Sequence, residues 1–244
     1  GSVAWADVPL TEPFHVFVPH CPDFHEEFYG FASLFDIFSE HTMGFVTSRD
    51  SFAIGFTKEE VLARVGGAES DEVVEVLYRP FDRRWACYSR AAMERPRLPL
   101  MRNMMRPNLA LAVGRAGQVT GSDEWDVVFI TDRPADLNLF RRGGAKLFPR
   151  YVYRGDKQAS NMRVDGDQDE LFAYIYALLH SRAYRTRYAE LLAIDYPRIP
   201  VPRDEQLIQE LARLGRRLMD AHLMRGFRPH PNPPRNGEGV YLSR

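Results

Sequence analysis

Eight arginines fall between Tyr78 and Arg106, in YRPFDRRWACYSRAAMERPRLPLMRNMMR, threaded among Tyr78, Phe81, Trp85 and Tyr88 and opposed only by Asp82 and Glu94. A guanidinium is a permanently charged planar fork. It grips a carboxylate, a phosphate or a guanine edge through two parallel hydrogen bonds, and it stacks on aromatic rings. The stretch therefore has two readings: an internal ladder of ion pairs, or a surface for a polyanion. Its second half, MERPRLPLMRNMMR, sets Arg95, Arg97, Arg102 and Arg106 around prolines that stiffen a loop, and a stiff loop carrying arginine positions phosphates well. Arg115, Gln118, Arg141, Arg142 and Lys146 extend the same surface. Asn103 and Gln118 are the side chains suited to an adenine edge.

The formal net charge of −1 alone argues against a nucleic-acid binder, but its distribution does not. Residues 1–40 hold seven acids and no Lys or Arg. Residues 78–115 hold nine arginines against two acids, and residues 139–163 hold seven basic residues against Asp156 alone. Lysine occurs only at Lys58, Lys146 and Lys157, so nearly all of the positive charge is guanidinium. Two basic zones are thus concealed by an acidic start, a pattern that favours contact with DNA or RNA.

Motifs for catalysis are missing where they would be expected. RRGGAK lacks the spacing and the final Lys-Ser/Thr of a phosphate-binding loop, and no Asp/Asn-Pro-Pro-aromatic motif for amino-methylation occurs. The positions two residues before the three lysines are Phe56, Gly144 and Gly155, which excludes the usual metal-dependent nuclease pattern. His15, His20, Cys21 and His25 match no zinc spacing, and His180 beside Tyr184 reads as a satisfied core histidine. No cofactor, metal or catalytic residue is expected. The two cysteines form no disulfide framework, the leading Gly-Ser reads as a tag scar, and no apolar run approaches a membrane span. A soluble, cytoplasmic protein follows.

The elements that must hold the arginines fall into regions 1–68, 69–166, 167–226 and 227–244. The first is acidic and aromatic, with MGFVTSRDSFAIGF reading as a hairpin and TKEEVLARV as a helix capped by Thr57 and Glu60. The second alternates short β-type runs (VVEVLY, LALAV, DVVFIT, YVY) with Pro and Gly breaks, which predicts a curved, mixed sheet. The third shows helical periodicity from Asp169 through ELFAYIYALLHSRAYRTRYAELLAI, and again after Asp204 with Leu207, Ile208, Leu211, Leu214, Leu218 and His222 on one stripe. Two antiparallel helices are expected. The fourth is a Pro- and Asn-rich low-complexity tail. The fold class predicted is α+β.

YRPFDRRW, PNLAL, FITD, LNLFRRGG, FPRYVY and above all YIYALLHSRAYRTRYAELLAIDYPRIP, in this order, resemble the C-terminal target-recognition region of Type ISP single-chain restriction-modification enzymes, with parts shared by Type IIG restriction-methyltransferases. MGFVTSRDSF is similar to the segment that follows the methyltransferase domain there. The chain departs from the family where Ala116 follows Arg115 and where Arg182 stands in a position that favours Pro. The resemblance implies a specificity domain that selects a double-stranded DNA sequence for adenine methyltransferase and ATPase/nuclease domains, without catalysis of its own. A motif shared by enzymes with different targets cannot encode one target. In YRPFDRRW, Asp82 with Arg79, Arg83 or Arg84 is accordingly expected as an internal ion-pair node, with Phe81 and Trp85 in the core. The alternative to DNA recognition is a module whose arginines dock an acidic protein.

Overall fold

The computed structural model describes residues 22–66, 69–115, 125–140, 144–164 and 166–226. The first stretch supplies α1 (Pro22–Tyr29), β1 (Ala32–Ser33), α2 (Leu34–Ile37), β2 (Thr42–Met43), α3 (Asp50–Ala53), β3 (Ile54–Gly55) and α4 (Lys58–Val65). The Thr57 side chain accepts the amide of Glu60 to start α4, while the Glu60 carboxylate turns back to the amide of Phe56. Then follow β4 (Val73–Arg79), β5 (Asp82–Cys87), α5 (Leu98–Met101), β6 (Ala110–Val113), β7 (Val128–Thr131), β8 (Lys146–Pro149), β9 (Tyr151–Arg154) and β10 (Lys157–Ser160).

The strands assemble in the orders β2-β8-β6-β7 and β3-β5-β4, with β9 paired to β10. MGFVTSRDSFAIGF does not fold on itself as a hairpin: β2 pairs with β8 and β3 with β5, both far along the chain. Nor is the sheet mixed. Every ladder among the described residues is antiparallel, and parallel neighbours occur only as the isolated bridges Phe45–Asp136 and Leu77–Ala135. The tight turns joining β4 to β5 and β9 to β10 can only reverse the chain, whereas a parallel crossover needs a dozen or more residues.

The four-stranded sheet is a wall between two cores. Leu111, Val113, Val128, Ile130 and Phe148 enter one with Phe28, Phe38, Phe172 and Tyr176, whereas Ala110, Ala112, Phe129 and Leu147 enter the other with Val76, Met93, Met101 and Met104. Both faces are dry. That is why LALAV and DVVFIT read as continuous apolar runs instead of alternating ones.

The helical region begins with α6 (Gln168–His180), whose N-cap Asp167 accepts the amides of Asp169 and Glu170. What reads as one long helix breaks at Ser181 and Tyr188 into α6, α7 (Arg182–Arg187) and α8 (Ala189–Ile194). β11 (Arg198–Ile199) then pairs with β1, and α9 (Glu205–His222) closes the described chain under its cap Asp204. Helices α6 and α9 run in the same sense, not antiparallel. Gly215 lies against Ala173 and Ala177, and one step further along both helices His222 lies against Tyr176 and His180; α7, α8 and β11 bring the chain back between them. The face of α9 that meets α6 is also rotated from the leucine stripe. Ala212, Gly215 and Met219 are buried, Ile208, Leu211 and Leu218 of the stripe pack half-buried beside them, and Leu207 and Leu214 are 43% and 45% exposed. A Cβ on Gly215 would stand 1.9 Å from the Ala173 carbonyl oxygen, so small residues, not leucines, set this close approach. The whole is an α+β fold. No described helix is long and apolar enough to cross a membrane.

Candidate nucleic-acid interface

The expected basic surface divides between the two ends of β6. On the segment that precedes it in the chain, Arg95 forms a reciprocal backbone bridge with Val46, and its side chain pairs with Glu94 at 3.0 Å. Arg97 is exposed in the left-handed region (φ 55°) and launches α5, which carries a proline in its first turn. Arg102 is exposed beyond Met101 and Met104, which are sunk in the core. Arg106 lies 4.8 Å over the ring of Tyr153 and pairs with Asp156 at 3.0 Å.

Asn103 has a different place from the one expected of a base reader. It is 3% exposed, and its Oδ1 accepts the amide of Tyr153 at 2.8 Å. Asn108 completes this bracket, donating to the carbonyls of Asn103 and Tyr151 and accepting the amide of Tyr151. The two asparagines dock β9 onto the arginine loop. An isolated Asn in a basic stretch carries no sequence signal that separates this role from base contact.

At the end of β6, Val113 faces Lys146 on β8 and Val128 on β7. Gln118, Arg141 and Arg142 lie outside the described residues. Arg115 is exposed, 5.9 Å over Tyr196. Lys146 extends its Nζ to 4.9 Å from the Phe35 ring and 5.7 Å from that of Tyr196. Burial, and then the charge of Arg115, push the pKa of Lys146 down. His41 packs on Phe35 and Phe148, and burial followed by the field of Lys146 lowers its pKa too. Neither Arg115 nor Lys146 forms an ion pair among the described residues. Two cations backed by aromatic faces, with no carboxylate partner among the described residues, leave their positive field for an incoming anion.

The YRPFDRRW segment is inward-looking, with two corrections. Asp82 does hold Arg84, in a fork of 2.7 and 2.9 Å, and Arg84 lies 4.0 Å over the ring of Phe56. That pair is only half-buried. The buried carboxylate is Asp136, 3% exposed, which accepts Arg79 at 3.0 Å and the amide of Asn138 at 2.7 Å. Its pKa is raised, because burial outweighs what the Asn138 amide and Arg79 contribute to the anion. Phe81 is not core. It occupies the hairpin turn with φ 64° and 55% exposure, edge-on to Phe129 at 5.0 Å. Trp85 is half-buried, with Lys58 5.7 Å over its ring.

His180, expected in the core, is only half-buried. Its Nδ1 donates to the Tyr176 carbonyl at 2.8 Å, and burial lowers its pKa to about 4. Among the described residues no three His, Cys, Asp or Glu side chains converge as a metal site would require.

Solved structures share this fold, three of them DNA complexes. They are a nuclease-deletion mutant of the Type ISP restriction-modification enzyme LlaGI in complex with a DNA substrate mimic (22% identity, TM-score 0.66, covering 81% of this chain and 20% of that one), a DrdV–DNA complex (23%, 0.66, 83% and 25%), and the ATP-dependent Type ISP restriction-modification enzyme LlaBIII bound to DNA (22%, 0.69, 83% and 17%). The chain thus spans a quarter or less of each. No curated protein matches it. Residues 67–240, which hold both basic zones and the helical region, match the Type ISP C-terminal specificity domain, and the chain belongs to that family.

Proposed function

We propose that this domain recognises a target sequence in double-stranded DNA on behalf of a restriction-modification system, and that it has no catalytic activity of its own. The observation that carries this reading is the sheet edge at Arg115 and Lys146, where two cations lie on aromatic rings with no carboxylate partner among the described residues. The family and the DNA-bound state of the three related structures support it. Arg115 and Lys146, with Arg97 and Arg102 at the other end of β6, contact phosphates and set the register. Arg95 and Arg106 join them on exchanging Glu94 and Asp156 for DNA. Gln118, Arg141 and Arg142, which lie outside the described residues, are the base-reading candidates. The methyltransferase and the ATPase/nuclease domains of the system are the partners to which recognition is passed.

Titration of a duplex with the protein at several salt concentrations tests this. Each neutralised phosphate contributes roughly 0.9 to the slope of log affinity against log salt, so four phosphate contacts predict a slope near −3.6. Absence of salt-dependent duplex binding removes the DNA reading and leaves the protein-docking one.

A further inference from the structure

The helical region has a cleft that none of the preceding roles uses. It measures about 470 Å³ and is lined by His180, Arg182, Arg185, Thr186 and Ala189. The last four stand at i, i+3, i+4 and i+7 along α7 into α8, so one helical face presents two guanidiniums, a hydroxyl and a short side chain that leaves room. No lining residue is acidic. Arg182 is exposed and has no ion pair among the described residues. Arg185 is held in place: its Nε donates to the Leu179 carbonyl at 2.7 Å and its guanidinium lies 5.6 Å over Trp125. The ring of His180 is anchored to the Tyr176 carbonyl.

We propose that this cleft is a phosphate-binding site that takes one backbone phosphate of duplex DNA. The lining excludes other ligand classes on simple grounds. The Arg182 guanidinium repels a cation, and a single alanine gives an apolar ligand little to bury against, whereas a tetrahedral dianion or phosphodiester receives Nη–H donors from Arg182 and a hydroxyl from Thr186. Its position joins it to the sheet edge. Trp125, beneath Arg185, donates its Nε1–H to the Gly114 carbonyl at 3.2 Å, and Gly114 directly precedes Arg115. The phosphate track therefore continues from the end of β6 onto the helices, which makes the helical region part of the DNA-binding surface as well as a scaffold. The DNA assignment rests on the reading in the preceding subsection; the phosphate chemistry of the cleft does not.

The test separates the two. In duplex titrations Arg182→Ala lowers the salt slope by roughly 0.9 and weakens binding severalfold near physiological salt, while Arg182→Lys retains part of the effect and the melting temperature of both variants matches that of the parent. If the parent binds DNA and neither Arg182→Ala nor Arg182→Glu changes the slope, the cleft proposal falls and the DNA reading stands. If the parent binds no DNA, inorganic pyrophosphate decides. A rise in melting temperature that Arg182→Ala abolishes keeps the site, with a free phosphate ester as its ligand, and an equal rise in parent and variant, as general salt exclusion gives, overturns it.

Discussion

The hairpin of β4 and β5 and the far edge of the four-stranded sheet are both rich in positive charge, yet the fold treats them in opposite ways. Around the hairpin each arginine is matched. Arg79 meets Asp136, Arg84 meets Asp82, and Arg133 meets both Glu75 and Asp132, with Arg83 at the margin of Asp132. At the sheet edge, Arg115 and Lys146 meet rings. The difference lies in what the topology imports. Asp136 reaches Arg79 across 57 positions of sequence through the Leu77–Ala135 bridge, while the edge receives Phe35 and Tyr196. Arginine density is the same kind of signal in both places. Only the partners decide whether it holds the fold together or stays available to a ligand.

The strongest way to break this comparison is Asp136→Ala. Removing a 3%-exposed carboxylate leaves the Asn138 amide without its acceptor and a cavity in its place, while Arg79 keeps the Tyr78 carbonyl and ring, and a loss of up to about 3 kcal/mol of stability is expected, carried by the stranded amide more than by the guanidinium. A chemical-denaturation series measures it. The salt slope of duplex binding by the folded fraction should not move; if it does, the hairpin belongs to the interface.

Protonation probes the core between α6 and α9 without touching either region. His180 is held neutral by burial with its pKa lowered to about 4, against about 6.5 for an unfolded histidine. Between those values the unfolded chain takes up a proton that the folded chain refuses. The stabilisation is therefore complete above pH 6.5 and is lost as pH falls to 4, amounting to roughly 3 kcal/mol. His222, whose Nδ1 shares a hydrogen bond with the Tyr176 hydroxyl, is shifted the same way by burial. Stability measured from pH 7 to pH 4 should fall, and His180→Gln should flatten the fall. A profile that the substitution leaves unchanged would assign the acid sensitivity elsewhere.

The outward region gives the next effect. Arg115→Ala with Lys146→Met should lower the salt slope by roughly 1.8 and weaken duplex binding roughly tenfold or more near physiological salt. The melting temperature should hold or rise slightly, because Lys146 carries its charge against a burial cost. A variant that melts early and binds DNA normally would reverse the assignment of the two regions.

How much of this was legible beforehand depends on the range of the forces involved. The cap at Thr57, a helix after Asp204, the strand in LALAV and the α+β class follow from local pattern, and the structure has them. The failures share one cause. The direction of α9, the choice of Gly215 over the leucines as its packing face, and the partner of Arg79 depend on contacts between segments tens of residues apart. Phe81 misleads for a related reason: an aromatic in an apolar motif reads as core, but the hairpin turn needs a left-handed residue there, and Phe81 stays 55% exposed. Of the site, the arginine zones are visible in composition. Their division between the two ends of β6, and the bracket role of Asn103, appear only once β8 and β9 are in place.

The smallest effect is the most discriminating for the hairpin itself. Read from sequence, Asp82 is the node whose loss would strand a buried guanidinium, at a cost near 3 kcal/mol. Its actual surroundings reduce that figure. The Asp82 side chain is 33% exposed and that of Arg84 23%, and when the carboxylate is removed Arg84 still rests on the rings of Phe56 and Tyr78, at 4.0 and 5.2 Å. Solvent and π-faces take up most of what the carboxylate supplied, so Asp82→Ala should cost about 1 kcal/mol. Adding Phe56→Ala removes one of the two rings, and the pair of substitutions should cost more than the sum of the singles, since each alone leaves the other support in place. Denaturation midpoints for the four proteins of that cycle measure the coupling. Strict additivity would mean that the ring does not support the guanidinium, and that the hairpin owes its arginines to the carboxylates alone.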